Sequence, residues 1–326
     1  MFAVKHKNLF LILSGLISLF AIVVLMRYGL KPGIEFTGGS MLEVSYVTAP
    51  DNHELESEVG KLDYGAFSLR RAGETASGRQ AVQISTRHLN DAERTQLEAS
   101  VTSLGDGEVE RFTSIGPSIG SELAQKSYWA MGAVALIIIL YIAYAFMGVG
   151  RPVSSWVFGG ITLVSLAHDV LLPAAMMSLL GHLLGLEVDV LFITAILAVL
   201  GYSVNDTIVV FDRVRENLQL HRVEKKIRVK DSGGVTKEEV THELTTPFED
   251  VVGQAVSQSV ARSINTSMTT MIALACLYFF GGSVTQIFAL VLFVGVAAGA
   301  YSSLFVAAPL LVEYYQWSQK KGVTKN

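Results

Sequence analysis

The stretch "LAVLGYSVNDTIVVFDRVREN", residues 197–217, begins as a bilayer-spanning helix and then places Asn205 and Asp206 inside the apolar run. On insertion scales an aspartate at the centre of a membrane helix costs roughly 2.5–3.5 kcal/mol, so such a residue faces a partner, a cavity or a functional path rather than lipid. Composition agrees with reading this segment as a membrane span. Of 326 residues, 51% are hydrophobic and 17% charged, and the mean hydropathy is +0.44. The apolar residues fall in long blocks, which defines a polytopic α-helical membrane protein.

Six runs are long enough to cross a hydrocarbon core about 30 Å thick: 8–30, 127–148, 155–180, 187–210, 263–281 and 284–312. The first follows "KHK" but no small-residue cleavage site follows it, so it reads as a retained anchor rather than a signal peptide. "KHK" at 5–7, Arg151, the cluster "RVEKKIRVK" at 222–230 and "KK" at 320–321 all fall on one side. The positive-inside rule makes that side cytoplasmic, with both termini inside. The domain plan is then an inner N-terminus with the first span (1–30), an outer domain (31–126) and spans two to four (127–210). A basic inner loop (211–262), spans five and six (263–312) and an inner tail (313–326) complete it. The net charge of −4 averages over membrane and aqueous parts and gives no case for a nucleic-acid partner. Cys276 is the only cysteine and lies in an apolar run, which excludes an internal disulfide; it reads as a packing residue.

The outer segment is long enough for one small domain. Strand-like "MLEVSYV" precedes amphipathic "DNHELESEVGKL"; "AFSLRRA" and "RQAVQISTR" follow, then helical "NDAERTQLEASVTSL" and "GEVERFTSI". That β-α-β-β-α-β order predicts a ferredoxin-like α+β unit, with Asp51 and Asn90 at the two helix N-caps. His53 and His88 stand alone, and no metal-ligating, cofactor-binding or catalytic constellation is present. The domain reads as a binding or docking module. In the inner loop, "DSGGVTKEEV" predicts a flexible connection. "HELTTPFEDVVGQAVSQSV" predicts an amphipathic helix along the inner membrane surface, and the basic run reads as a topology signal attracted by anionic lipid or as a docking surface for a soluble partner. No GxxxxGK[ST] loop occurs, so the chain is expected to have no ATPase of its own.

The intramembrane polar residues carry the functional reading. Asp206 is placed about one turn inside the inner end of span four, and Arg262 begins span five at a comparable depth. Beyond it, Arg262, Asn265, Thr266, Thr269 and Ala273 recur at helical spacings of three and four on one face, expected to meet other helices. Spans four and five are thus expected to present Asp206 and Arg262 to each other or to a shared wet cavity, as a proton path or as a static pair fixing helix register. Asn205 reads as helix-packing glue. His168 and Asp169 in "SLAHDVLLP" are a third polar point, inside span three or near its aqueous boundary. Gly295 and Gly299 in "GVAAG" form a small-xxx-small motif for close helix approach.

"GIEFTGGS" at 33–40, "AHDV" at 167–170, "GYSVNDTIVVFDRVREN" at 201–217 and "SINTSMTT" at 263–270 together resemble the SecF family, the smaller subunits of bacterial SecD–SecF protein-export complexes. The likeness covers nearly the whole chain. It implies half of an RND-superfamily transporter, which needs an obligatory membrane partner, SecD. It further implies an accessory translocase function in the bacterial inner membrane. There the complex uses the proton-motive force to draw preproteins outward after the SecA ATPase has driven them through SecYEG, with YajC as a neighbour. The positions matching the family's proton path are Asp206 and Arg262, with a further carboxylate from SecD. The family commonly reads GIDFTGG where this chain has Glu35, one methylene longer; the stretch reads as a turn from membrane to first strand in which Gly38 and Gly39 take positive φ. The competing functions are an RND-type exporter of small molecules or lipids and a non-transporting scaffold.

Overall fold

The computed structural model describes residues 2–74, 77–146, 153–230 and 236–321. After a single turn at Phe2–Lys5, the first span α1 runs Lys7–Tyr28, and the chain crosses a one-turn helix at Ile34–Thr37 into the sheet domain. That domain holds β1 (Gly39–Tyr46), α2 (Asn52–Lys61), β2 (Ser68–Glu74), β3 (Gln80–Thr86), α3 (Asp91–Thr102) and β4 (Glu108–Ile115). The strands form one antiparallel sheet in the order β2-β3-β1-β4, the ferredoxin-like arrangement. Period-two alternation puts Leu42, Val44 and Tyr46 of β1 and Val82 and Ile84 of β3 on one face. There they are sealed by Leu55 and Val59 of α2 and Leu97 and Val101 of α3. Asp51 caps α2 by accepting from the Asn52 amide, and Asn90 forms a full capping box with Glu93 on α3.

The remaining spans are α4 (Pro117–Ala145), α5 (Ser155–Leu184), α6 (Val190–Leu220), α7 (Phe248–Phe280) and a rod of α8 (Ser283–Ser302), a π turn (Ser303–Ala307) and α9 (Ala308–Lys320). Among the described residues, six helices are long and apolar enough to cross a membrane. The third, fourth and sixth are central; the first, second and fifth are largely uncovered. Gly295 and Gly299 let α8 lie directly on α6, for a Cβ at either would come within 3 Å of Val199 or Ser203.

Between α6 and α7 stand β5 (Arg222–Lys230) and β6 (Thr236–Leu244), an antiparallel hairpin, where the sequence suggested only a flexible connection. The Gly-rich turn itself, and Arg151 of the charge argument, lie outside the described residues. The expected surface helix is also different: α7 is one continuous helix from Phe248 through the span. Its Phe248, Val251, Val252, Ala255 and Val256 stripe packs against Phe211, Val214 and Leu218 of α6 and Leu311 and Val312 of α9. The apolar face that resembled a lipid-binding surface is consumed by protein. Likewise α4 begins at Pro117 and α6 ends at Leu220, beyond the hydrocarbon lengths read from hydropathy, because charged residues at helix ends continue the helix into water. Cys276 is exposed on α7 rather than packed within the chain.

The sheet domain is joined to the membrane helices by the "GIEFTGGS" stretch. Gly33 donates its amide to the Val188 carbonyl at 2.8 Å and Val188 returns one to Lys31 at 2.8 Å, a short parallel bridge to the loop before α6. Gly38 and Gly39 take φ of 75° and 150°, and a Cβ at Gly39 would lie 2.5 Å from the Thr86 carbonyl oxygen. Both positive φ and close approach therefore exclude side chains here. The Glu35 carboxylate accepts from the Val190 amide at 2.6 Å, beside the N-cap bond of Asp189 to the Phe192 amide at 2.8 Å. Two carboxylates thus satisfy the first turn of α6, and the longer side chain of Glu35 still reaches a helix terminus.

Candidate functional site

Asp206 lies near the midpoint of α6, a helix that runs on past Asp212 and Arg213. It is buried, and its Oδ2 accepts hydrogen bonds from Ser263 Oγ and Ser267 Oγ of α7, each at 3.0 Å. Both bonds fall on Oδ2; among the described residues Oδ1 has no hydrogen bond. Nearby, Tyr202 donates to Thr270 Oγ1 at 3.2 Å, a further tie between α6 and α7. Arg262 is exposed and, among the described residues, forms no ion pair with Asp206 or any other carboxylate. The expected face-to-face pairing of Asp206 and Arg262 is not the arrangement in this chain.

Helix phase explains the difference. Successive residues on an α-helix are separated by about 100°, so Ser263 and Arg262 project in different directions from the same turn. Helix α7 carries two polar stripes. Ser259, Ser263 and Ser267 recur every fourth residue and are buried against the chain's own helices. Arg262, Asn265, Thr266, Thr269 and Ala273 also recur at helical spacing, but they are exposed. Asn205 is likewise exposed. The serine stripe was visible in the sequence as a four-residue repeat; without packing, nothing ranked it above the stripe that carries a charge.

A second buried carboxylate sits one layer away. His168 and Asp169 fall in the middle of α5, not at an aqueous boundary, and both are buried. Asp169 Oδ1 pairs with His168 Nδ1 at 3.0 Å, and its Oδ2 accepts from Ser302 Oγ of α8 at 2.7 Å and from Ser203 Oγ of α6. The backbone around it is broken on two sides. Pro173 has no amide to offer the Asp169 carbonyl, and the π turn begins at Ser303. The sequence marks Ser203, with Asn205 and the threonines, as helix-packing glue, while Ser302 had no signal beyond being a small hydroxyl in an apolar run.

A six-span bundle centred on the third, fourth and sixth helices, with buried carboxylates in its core and one ferredoxin-like domain after the first span, is half of an RND-type membrane transporter. The chain belongs to the SecD/SecF family of protein-export membrane proteins. Two family models match it: "Protein export membrane protein SecD/SecF, C-terminal" over residues 96–235 and 235–317, and "SecD/SecF GG Motif" over 23–50. It is 35% identical over 319 residues to the protein translocase subunit SecF of Thermobaculum terrenum, covering 95% of this chain and 93% of that one. With SecF of Anaerolinea thermophila it shares 33% identity over 322 residues, covering 96% of each. The crystal structure of SecDF from Thermus thermophilus, a translocon-associated membrane protein, superposes with a TM-score of 0.77 at 29% identity. That likeness covers 96% of this chain and 38% of the SecDF chain, so this protein spans little more than a third of it.

Proposed function

We propose that this protein, an accessory protein translocase subunit, couples the proton-motive force to late steps of preprotein export together with a SecD half. The observation that carries the reading is the arrangement of α7: its serines hold the buried Asp206 while Arg262, one position round the same turn, points out of the chain. A guanidinium at membrane depth facing lipid costs roughly 2.5–3.5 kcal/mol, so the stripe of Arg262, Asn265, Thr266 and Thr269 is a face for the other half of the transporter. The SecDF of Thermus thermophilus, 32% identical over 305 residues and much longer than this chain, supports SecD as the occupant of that face.

In this reading Asp206 takes its proton on Oδ1, the oxygen without a hydrogen bond, while Ser263 and Ser267 keep Oδ2. Arg262 senses the charge. With Asp206 ionised, the guanidinium is drawn toward it; with Asp206 protonated, it turns to a carboxylate of the SecD half. A turn of α7 by about 100° exchanges the serine stripe for the arginine stripe. One elementary charge moving through 100 mV supplies roughly 2.3 kcal/mol, comparable to the difference between two helix packings. The site lies in the bacterial inner membrane with both termini cytoplasmic. The sheet domain lies outside, where it holds the emerging preprotein delivered by SecA and SecYEG, with YajC alongside.

The test is Asp206→Asn in the complete complex, in inverted vesicles. The complex is expected to assemble, to keep the ATP-driven part of export and to lose the proton-dependent part. Full proton-dependent export in the variant overturns the coupling reading.

A further inference from the structure

Asp206 leaves the His168–Asp169 pair without a role. Asp169 is fully buried, and its carboxylate is surrounded by donors: His168 Nδ1 on Oδ1, and Ser302 and Ser203 on Oδ2. A carboxylate so placed acts on the imidazole in one way: it holds the proton on Nδ1. The lone pair of the neutral ring is then on Nε2. That atom is buried and has no hydrogen-bond partner, although a buried imidazole nitrogen ordinarily finds one.

His168 lines a cavity of about 300 Å³ between α1, α5 and α8. The rest of its wall is apolar except for Tyr301: Leu13 and Ile17 come from α1, Leu172 from α5, and Phe293, Val294, Ala297 and Ala298 from α8. Tyr301 stacks on the imidazole at 6.0 Å between centroids, and its hydroxyl is engaged with Ser14 Oγ at 2.9 Å. The titratable groups facing His168 are thus Asp169 on α5 and Tyr301 on α8; α1 offers only Ser14, and α6 only Ser203 through Asp169. An oriented base, unpartnered among the described residues and at the wall of a cavity, is placed to take a proton.

We infer that His168 Nε2 is a second proton-accepting site in the membrane core, oriented by Asp169, at the wall of the cavity between α1, α5 and α8. A hydronium ion that reaches Nε2 gives it a proton and becomes water, and the imidazolium formed is neutralised by the adjoining Asp169 carboxylate. The protonated pair as a whole then carries no net charge. Ser203 donates to Asp169 and stands three residues before Asp206 on α6, so one helix carries both Asp206 and a donor to Asp169. A shift of α6 that repacks Asp206 against α7 also moves a donor of the His168–Asp169 pair. The inference rests on the proton-coupled reading of the membrane core.

Two measurements on the intact chain with its SecD partner in liposomes decide it. The first is nitrogen-15 NMR of histidine-labelled protein, with His168 assigned by its loss in H168Q. Its signals are expected to pass from the Nδ1–H neutral form to the imidazolium as the pH is lowered. A ring that remains neutral throughout, or that shows the Nε2–H tautomer, overturns the inference even if D206N has abolished proton-dependent export. The second is the pH profile of proton-dependent export, which H168Q is expected to flatten while the ATP-driven part persists. An unaltered profile in an assembled H168Q complex overturns it. Where H168Q fails to assemble, the titration of the unmodified protein, assigned instead by selective labelling, supports or overturns the inference by itself. If D206N keeps full proton-dependent export, the coupling reading falls, and the histidine titration still reports whether this site takes a proton.

Discussion

The sheet domain and the membrane half satisfy their polar groups in opposite ways. In the domain, polar side chains find partners within the same small fold, though Ser68 also reaches out to Glu187 at 3.1 Å. Tyr46 donates to the Val101 carbonyl at 3.0 Å, and burial, with the nearby Asp106 charge second, pushes its phenol up to about 12. Ser45 donates to Glu110 at 2.6 Å, and the Arg94 guanidinium lies 4.4 Å above the Phe112 ring. In the membrane half, Arg262, Asn265, Thr266 and Thr269 point outward from α7, with Ile264 and Met268 each 48% exposed beside them. On the proposed reading, the outward stripe on α7 is the face on which the partner docks.

Removing that charge is expected to have the largest effect. Arg262→Ala should weaken association with the SecD half by about 2–5 kcal/mol, since one partner of a desolvated charge pair is left alone. Co-purification from membranes and the affinity of the reconstituted halves check it, and the sheet domain's own stability should not change. Unchanged association places the partner on another face.

How much of this was legible in the sequence follows the same division. Strand alternation, the two N-caps and the Gly-Gly turn are local signals, set by backbone sterics and hydrogen bonds within a few residues; Asp51, Asn90, Gly38 and Gly39 stand where the sequence put them. Hydropathy likewise marks the six spans, because the bilayer imposes length. Which face of α7 turns inward is not local. Two polar stripes share the same period, and packing against α6 selects the serines over the arginine. The continuation of α7 back to Phe248 was hidden for a related reason: an amphipathic stripe is the same pattern whether lipid or α6 and α9 covers it. Glu35 shows a third limit. Its reach to the α6 amides depends on a loop 155 residues later in the chain.

The junction between the two regions should respond less strongly than the α7 face. Gly39→Ala places a Cβ 2.5 Å from the Thr86 carbonyl oxygen and 2.9 Å from Ile34, at a φ of 150°. Gly73 also has positive φ, 89°, but a Cβ there meets nothing within 4 Å. Gly73→Ala should therefore cost only backbone strain, about 1–3 kcal/mol, and Gly39→Ala more than that. Limited proteolysis of the intact protein reads the difference: cutting near residues 31–40 should rise in the Gly39 variant alone. Equal susceptibility would mean that the junction is looser than its packing.

The smallest effect lies wholly inside the sheet domain and tests its self-sufficiency. Glu93 is held at about 2, well below its ordinary 4.5, first by the Arg87 hydrogen bond and then by the Asn90 amide. These bonds are 2.6 Å from Arg87 Nη2 and 2.9 Å from the Asn90 amide. A carboxylate whose folded pKa is depressed contributes stability that is present above its ordinary value and lost as pH falls through the folded one. The first turn of α3 should therefore hold at pH 5 and above and loosen progressively between pH 4.5 and about 2, as the capping box loses its anion. Carbon-13 NMR of the Glu93 carboxyl in the intact protein should give a midpoint near 2, and Arg87→Ala should move it up toward the ordinary range. The shift should occur whether or not the SecD half is bound, because every group that sets it belongs to this domain. A midpoint that moves on adding the partner would show that the domain, too, is completed from outside.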